Sequence, residues 1–245
     1  MAAENVEKTR QERQPAYVLH AYPYLETSLV IEAFTRESGR IALVAKGARR
    51  PRSALRGVLL AFQPLLLSWS GKSELRTLVR AEWQGGYVSL KGLSLICGFY
   101  LNELLLKLLP RQDAHEALFG IYADTLRALA AGGDHARILR AFEKGLLREL
   151  GYALTLDQEA DTGRPIAAES VYTYVIERGP VAVPAAREAI GLELSGQTLL
   201  DMHSDNYANP LTQQQSKALM RMLINHLLGE QVLHTRQLLR DLQEL

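Results

Sequence analysis

The sequence predicts an α+β protein in which a small five-stranded barrel precedes an α-helical domain. Two observations support this order. Between residues 16 and 83, short runs rich in Val, Leu, Ile and aromatic residues alternate with Gly, Pro and Ser, which is typical of strands joined by tight turns. Beyond residue 92, apolar residues recur every three or four positions, which indicates helices. The junction is predicted in "QGGYVSLKG", so the domains cover residues 1–84 and 85–245.

The five strands are predicted from apolar runs that end at turn-forming residues. They span residues 16–22, 27–35, 40–46, 57–69 and 74–83. Pro64 lies inside the fourth run and predicts an edge or a bulge there, because proline cannot donate a ladder hydrogen bond. Five short strands with tight turns favour a closed or partly closed barrel.

The helices are predicted from apolar spacing and from their terminating residues. Leu residues at 101, 104, 105 and 108 follow the i, i+3, i+4, i+7 pattern, and Pro110 ends that helix. Further helices are predicted over 114–133, around 139–150, from Pro210 to Gly229 and near the C-terminus. The polar, acidic segment at about 154–170 is predicted to be a loop inserted in the helical domain.

Composition excludes several classes of protein. A chain of 245 residues with 47% apolar content can bury one large core or two smaller ones. No apolar run is long enough to predict a membrane span, and the polar N-terminus lacks the apolar core of a secretory signal. We therefore predict a cytoplasmic protein. Cys97 is the only cysteine, so no internal disulfide can form, and its apolar surroundings predict a buried packing residue.

Enzymatic and metal sites find little support in the sequence. "GKS" at residues 71–73 resembles the end of a phosphate-binding loop, but that motif needs a glycine at position 66, where this chain has Leu66. "DMHSD" places Asp201, His203 and Asp205 on alternate residues, and nothing nearby completes a metal site. No catalytic residue, cofactor or metal is predicted.

Charge is segregated along the chain, although the formal net charge is only +1. Residues 36–80 contain ten cations against Glu37 and Glu74, a local charge of +8, whereas residues 151–245 carry −5. Segregated charge indicates separate roles for the two regions. The densest cluster is "LVAKGARRPRSALRG", which contains Lys46, Arg49, Arg50, Arg52 and Arg56.

We interpret this basic loop (residues 46–56) as a nucleic-acid contact. Guanidinium groups held in water by an irregular loop can follow a phosphate backbone, and aromatic rings on a barrel can stack on bases. The alternative is a solvated loop that only aids solubility. The predicted DNA-binding set is Lys46, Arg49, Arg50, Arg52, Arg56, Lys72, Arg76, Arg80 and Tyr24. Other candidate rings are Tyr17, Tyr22, Phe34, Phe62 and Trp69, of which Phe34 and Phe62 are expected in the core.

A second basic feature lies on the helix near residue 140. Its cations recur at i, i+3, i+7 and i+11 and define a basic stripe, formed by Arg137, Arg140, Lys144 and Arg148. Like charges four residues apart destabilise a helix by about 0.2 to 0.5 kcal/mol per pair, so an anionic partner would stabilise it. The alternative readings are a solvated helix face, a phosphate site or a site for an acidic peptide. An adjoining apolar face favours a peptide that is both acidic and hydrophobic.

Several motifs resemble the bacterial recombination mediator family RecO. The stretch "AYVLHAYPYLETSLVIEAFTRESGRIALVAKGARRPRS" and the later "FQPLLLSWSGKSELRTL" are similar to its N-terminal barrel. "FYLNELLLKLLP", "RAFEKGLLRELGY" and "GEQVLHTRQLL" are similar to its helical domain. The combination of E-T-S, S-G-R and A-K-G-A-R is the specific part.

The resemblance implies an OB-fold and a non-enzymatic role in DNA repair and homologous recombination. It implies binding of single- and double-stranded DNA, annealing of complementary strands, and contact with the acidic C-terminal tail of single-stranded DNA-binding protein. RecR, RecF and RecA are implied partners in recombinase loading, within the cytoplasm and near the nucleoid. A-K-G-A-R falls on residues 46–49 together with the preceding alanine, and Arg140 matches a position implicated in gripping the tail. Some family members carry a four-cysteine zinc site at roughly residues 154–180, where this chain has no cysteine.

Two other functions remain open at this stage. One alternative is a protein-interaction adaptor, whose basic loop contacts an acidic partner and does not bind DNA. A nucleotide hydrolase is a third reading.

Overall fold

The computed structural model describes residues 10–86, 89–183 and 191–243. Its chain divides into two compact units, one formed by residues 1–130 with 233–245 and the other by residues 131–232. In the described residues, the first unit contains the barrel, a single helical turn and three longer helices. The predicted domain boundary near residue 84 stays a prediction. The two units are defined by how tightly their residues pack, and such packing does not test where one domain ends and the next begins.

A closed five-stranded barrel forms most of the first unit, which confirms the predicted fold class. Its strands are β1 (Arg10–Tyr24), β2 (Ser28–Thr35), β3 (Gly39–Ala45), β4 (Leu65–Ser70) and β5 (Leu75–Trp83). They close in the order β1-β2-β3-β5-β4. All neighbours are antiparallel except β3 and β5, which pair in parallel.

The fourth predicted run differs from the structure. Residues 57–69 do not form one strand: a single helical turn, α1 (Leu55–Val58), is followed by irregular backbone and then by β4. Pro64 precedes β4 directly, where its missing N–H costs no ladder hydrogen bond. The first strand is also longer than predicted, because the mostly polar residues 10–15 extend it and pair with β4 on both sides of a register shift.

The barrel core consists of apolar side chains that point inward from all five strands. Trp69, Leu43, Leu65 and Leu67 are fully buried there. Cys97 is buried as predicted.

Helices α2 (Gly92–Leu108), α3 (Glu116–Ala130) and α7 (His234–Gln243) complete the first unit. Tyr17 of β1 packs on Phe119 and Tyr122 of α3, with ring centroids 5.4 and 5.1 Å apart. The buried Asn102 of α2 donates to the Leu19 carbonyl at 2.9 Å and accepts from the Tyr122 hydroxyl at 2.6 Å. Helices α2 and α3 are therefore fixed to the outside of the barrel by polar and apolar contacts.

Where the structure describes it, the second unit combines three helices with a small antiparallel sheet. Its helices are α4 (His135–Glu149), α5 (Gly196–His203) and α6 (Pro210–Leu228), and its strands are β6 (Val171–Val175), β7 (Gly179–Ala182) and β8 (Leu192–Ser195), in the order β7-β6-β8. This sheet was not predicted from the sequence. Its core joins Leu147 of α4 to Tyr172, Leu199 and Leu219.

Candidate nucleic-acid interface

The basic loop leaves β3 as a succession of turns. Gly47 adopts a left-handed conformation with φ of +67°, which a residue without a Cβ adopts readily. Backbone N–H groups of Arg50 and Ser53 donate to the Gly47 and Arg50 carbonyls at 3.1 and 3.0 Å. These turns expose the side chains of Lys46, Arg50, Arg52 and Arg56. None of the four forms an ion pair within residues 10–86, 89–183 and 191–243.

Arg49 has a structural role as well as a charge. Its backbone N–H donates to the Thr27 carbonyl at 2.9 Å, and its Nη1 donates to the carbonyls of Leu25 and Glu26 at 3.5 and 3.3 Å. All three partners belong to the turn between β1 and β2. The basic loop and this turn therefore form one continuous surface at the same end of the barrel.

A row of exposed rings leads along β1 to that turn. His20, Tyr22 and Tyr24 occupy alternate positions opposite Glu32, Val30 and Ser28 of β2, so their side chains share one face. Tyr22 is 40% and Tyr24 37% exposed, and the ring centroids of His20 and Tyr22 are 6.0 Å apart. We call this set the β1 ring row.

The other candidate rings are not available on the surface. Phe34 and Phe62 are buried, as expected. Tyr17 and Trp69 are buried too, against α3 and inside the barrel respectively. Of the six candidate rings, the structure exposes Tyr22 and Tyr24. His20 was not among the predicted rings, although it lies on the same face of β1. Its spacing of two and four residues from the tyrosines could have predicted this position.

Three predicted cations on β5 and in the turn before it have different surroundings. Lys72 is exposed in the turn before β5. Arg76 is half-buried, and its Nη2 donates to the Gln112 side chain at 2.6 Å. Arg80 is exposed and lies 2.8 Å from Glu82. Arg76 and Arg80 thus already have partners, whereas no partner of Lys72 occurs in the described parts of the chain.

The basic stripe on α4 lies in the second unit and is only partly exposed. Arg137 and Arg148 are exposed. Arg140 pairs with Glu143 at 2.7 Å, and their side chains are only 11% and 1% exposed. Lys144 donates to the Met202 carbonyl at 2.9 Å and pairs with Asp205. The structure therefore keeps all four cations on one helix but leaves two of them exposed.

The surroundings of the stripe are acidic and apolar. The buried Tyr207 lies near this cluster, where burial and the Asp205 carboxylate raise the pKa of its hydroxyl above the usual range. The adjoining apolar residues Phe142, Leu146 and Leu147 are buried. Ile138 and Leu139 remain partly exposed beside Arg137.

The remaining polar and reactive groups of the described ranges have structural surroundings. No group of three His, Cys, Asp or Glu side chains there could hold a metal ion. Asp201 of the "DMHSD" motif accepts hydrogen bonds from Thr212 and Gln197 at 2.6 and 2.7 Å, so it has a structural role. Burial raises the pKa of the Cys97 thiol to about 11. No helix in the described residues is long and apolar enough to cross a membrane.

Comparison with known proteins gives two matching family models in succession. "Recombination protein O N terminal" matches residues 10–87, and "Recombination protein O C terminal" matches residues 90–236. The chain belongs to the RecO family. The first RecO model covers the barrel, which is an OB-fold in this family.

Curated relatives named "DNA repair protein RecO" match nearly the full chain. The protein of Nitrosospira multiformis is 61% identical over 241 residues, which cover 98% of this chain and 100% of the relative. The protein of Aromatoleum aromaticum is 57% identical over 239 residues, which cover 98% of this chain and 99% of the relative. The protein of Azoarcus sp. is 53% identical over 240 residues, which cover 97% of this chain and 99% of the relative. RecO membership assigns the chain to DNA repair and recombination.

Proposed function

We propose that this chain is a non-enzymatic recombination mediator. It binds and anneals single-stranded DNA, also binds double-stranded DNA, and helps to load a recombinase onto strands coated by single-stranded DNA-binding protein. The observation that carries the proposal is the joint surface at one end of the barrel, where the exposed cations of the basic loop adjoin the β1 ring row through Arg49.

The two parts of this surface suit different parts of a single strand. Exposed guanidinium and ammonium groups neutralise phosphates and release counterions, which supplies affinity without sequence preference. Exposed tyrosine rings stack on bases, and each stacked base contributes about 1 to 3 kcal/mol. OB-folds bind oligonucleotides on the same kind of barrel. A strand whose phosphates follow the loop and whose bases meet the ring row would use both features.

A salt titration with a charge-matched control tests this interface. We expect Lys46→Ala, Arg50→Ala and Arg52→Ala together to weaken binding to all single strands alike. Removing three phosphate contacts also flattens the slope of log affinity against log salt by about two units. Arg49 is left intact because it holds the β1–β2 turn. Fluorescence anisotropy with unrelated oligonucleotides is the measurement.

The control replaces Arg10, Arg36 and Arg127 by alanine, the same loss of charge in the same unit. Arg36 lies in the turn at the opposite end of β2, and all three residues already pair with carboxylates. Equal effects of the two triple variants would refute the loop assignment. No salt-dependent DNA complex at all would favour the protein-interaction adaptor.

The basic stripe supports a separate protein contact in the second unit. We propose that it receives the acidic, hydrophobic-ended tail of single-stranded DNA-binding protein. Because Arg140 and Lys144 are partly buried and bonded to acidic or carbonyl partners, the tail must first meet the exposed Arg137 and Arg148. Ile138 and Leu139 offer the partly exposed apolar contact that charge alone lacks, since an exposed ion pair contributes only about 0 to 1 kcal/mol.

Binding of a labelled acidic peptide with a hydrophobic C-terminus tests the tail site. Arg137→Ala with Arg148→Ala should weaken peptide binding, whereas Lys217→Ala with Arg221→Ala, two exposed cations on α6, should not. DNA binding by the barrel should persist in both variants. If the α4 pair reduces DNA binding and leaves the peptide bound, the stripe belongs to the DNA surface. RecR, RecF and RecA remain further proposed partners, and their support is the family relationship.

A further inference from the structure

A cavity of about 300 Å³ lies directly beneath the basic loop. It is open to solvent on one side and bounded on the others by the start of β2, the loop and α1, and its lining residues are Leu29, Ala48, Arg49, Leu55, Arg56 and Leu59. All six residues belong to the first unit. The cavity thus adjoins the cations that we assign to phosphate binding.

The cavity has an apolar floor and a cationic rim. Ala48 and Leu59 are buried members of the barrel core, while Leu29 and Leu55 pack against that core and remain partly exposed. Arg49 and Arg56 supply the only charged side chains among the lining residues. Arg56 is exposed and forms no ion pair with any described residue.

Such a lining favours a flat, largely apolar group attached to an anion. Water gains little in a cavity whose floor offers no polar partners. A volume of about 300 Å³ lies at the small end of the range for small-molecule sites, which suits one planar ring system rather than a peptide segment. A nucleotide has this composition, because its base presents apolar faces and its phosphate is anionic.

We propose that this cavity holds one unstacked nucleobase of single-stranded DNA, while Arg56 and its neighbours contact the adjacent phosphates. This inference rests on the proposed DNA-binding function and deepens it. A base within a duplex is stacked and paired, and it must leave the stack before it can enter a protein cavity. The cavity therefore favours single strands over duplexes. Its floor has no hydrogen-bonding side chain that would distinguish one base from another.

The test fills the cavity without changing the charge. Leu55→Phe enlarges a lining side chain, and Leu60→Phe makes the same change on a neighbouring, exposed residue that does not line the cavity. We expect Leu55→Phe to lower affinity for single strands by about tenfold, a change typical of losing one base contact. Affinity for duplex DNA, the salt slope and the affinities of Leu60→Phe should stay unchanged. Thermal unfolding of both variants verifies that they are folded.

A second measurement uses the unaltered protein. An oligonucleotide that carries 2-aminopurine at one position should change its fluorescence on binding, because that base leaves its stacked neighbours. In Leu55→Phe this change should be reduced. The inference is overturned if the wild type binds single strands in a salt-dependent manner but causes no fluorescence change. It is also overturned if Leu55→Phe binds single strands and duplexes as the wild type does, or weakens both equally. Failure of the proposed function differs, since the wild type would then form no salt-dependent complex.

Discussion

The ion pair between Arg140 and Glu143 allows a prediction about stability in the second unit. Its two side chains are 11% and 1% exposed and 2.7 Å apart. Replacing Arg140 by alanine removes a cation from beside a buried carboxylate. Loss of one partner of a buried pair costs about 3 to 5 kcal/mol, whereas exposed pairs contribute about 0 to 1 kcal/mol. We expect Arg140→Ala to lower the free energy of unfolding by about 3 kcal/mol.

Arg148→Ala provides the comparison on the same helix. Arg148 is 62% exposed and lies 3.5 Å from Glu149, so its replacement should change stability by less than about 1 kcal/mol. A double variant, Arg140→Met with Glu143→Leu, removes both charges and fills similar volume, and we expect it to destabilise the unit less than Arg140→Ala does. Urea unfolding followed by circular dichroism measures all three variants against the wild type.

The outcome bears on the tail site. If Arg140→Ala costs no more than Arg148→Ala, the buried pair does not stabilise the unit and the guanidinium is free to meet a tail carboxylate. If the predicted ranking holds, charge reversal at Arg140 unfolds the unit and cannot report on peptide binding. The exposed Arg137 and Arg148 are then the appropriate residues to change.

Two further predictions concern the ring row and metal content. Tyr22→Ala with Tyr24→Ala should weaken single-strand binding by about 1 to 3 kcal/mol per stacked base and leave the salt slope unchanged. Fluorescence anisotropy measures both quantities. The control is Tyr152→Ala, which changes an exposed tyrosine of the second unit. A chelator should leave the melting temperature unchanged, because a chain with Cys97 as its only cysteine lacks the ligands of the four-cysteine zinc site. Elemental analysis that finds about one zinc per chain would contradict this.

Local sequence predicted the barrel well where strands are apolar. Strands β2, β3 and β5 begin and end within one residue of the predicted bounds. The first half of β1 was not predicted, because its mostly polar residues do not alternate with apolar ones. Its strand conformation depends on its pairing with β4. Strand β6 was predictable, since "VYTYV" alternates residues of high β propensity. Its short length after a polar loop obscured that signal.

The candidate site was predicted in composition but not in detail. The exposure of the basic loop follows from Gly47 and Pro51, two turn-forming residues that are visible in the sequence. The contact of Arg49 with the carbonyls of Leu25 and Glu26 spans more than twenty residues, and no local pattern indicates it. The spacing of Arg140 and Glu143 suggests an i, i+3 pair, but their burial depends on the packing of the second unit.

The structure also changes the expected strength of the electrostatic interaction with DNA. Ten cations lie between residues 36 and 80, and ten phosphate contacts would give a salt slope of about 7 for single strands. Five of these cations already have partners. Arg36 and Arg40 pair with Glu116 and Glu32, Arg80 pairs with Glu82, Arg76 bonds to Gln112, and Arg49 bonds to carbonyl groups.

The remaining five cations are exposed, namely Lys46, Arg50, Arg52, Arg56 and Lys72. Five phosphate contacts, at about 0.7 each, give a slope of about 3.5. One salt titration of the wild-type protein therefore distinguishes binding by all ten cations from binding by the five exposed ones. A value near 7 would mean that DNA displaces the intramolecular partners of the arginines. A value near 3.5 would mean that these ion pairs and hydrogen bonds persist and that the basic loop, with the turn before β5, carries the charge that binds DNA.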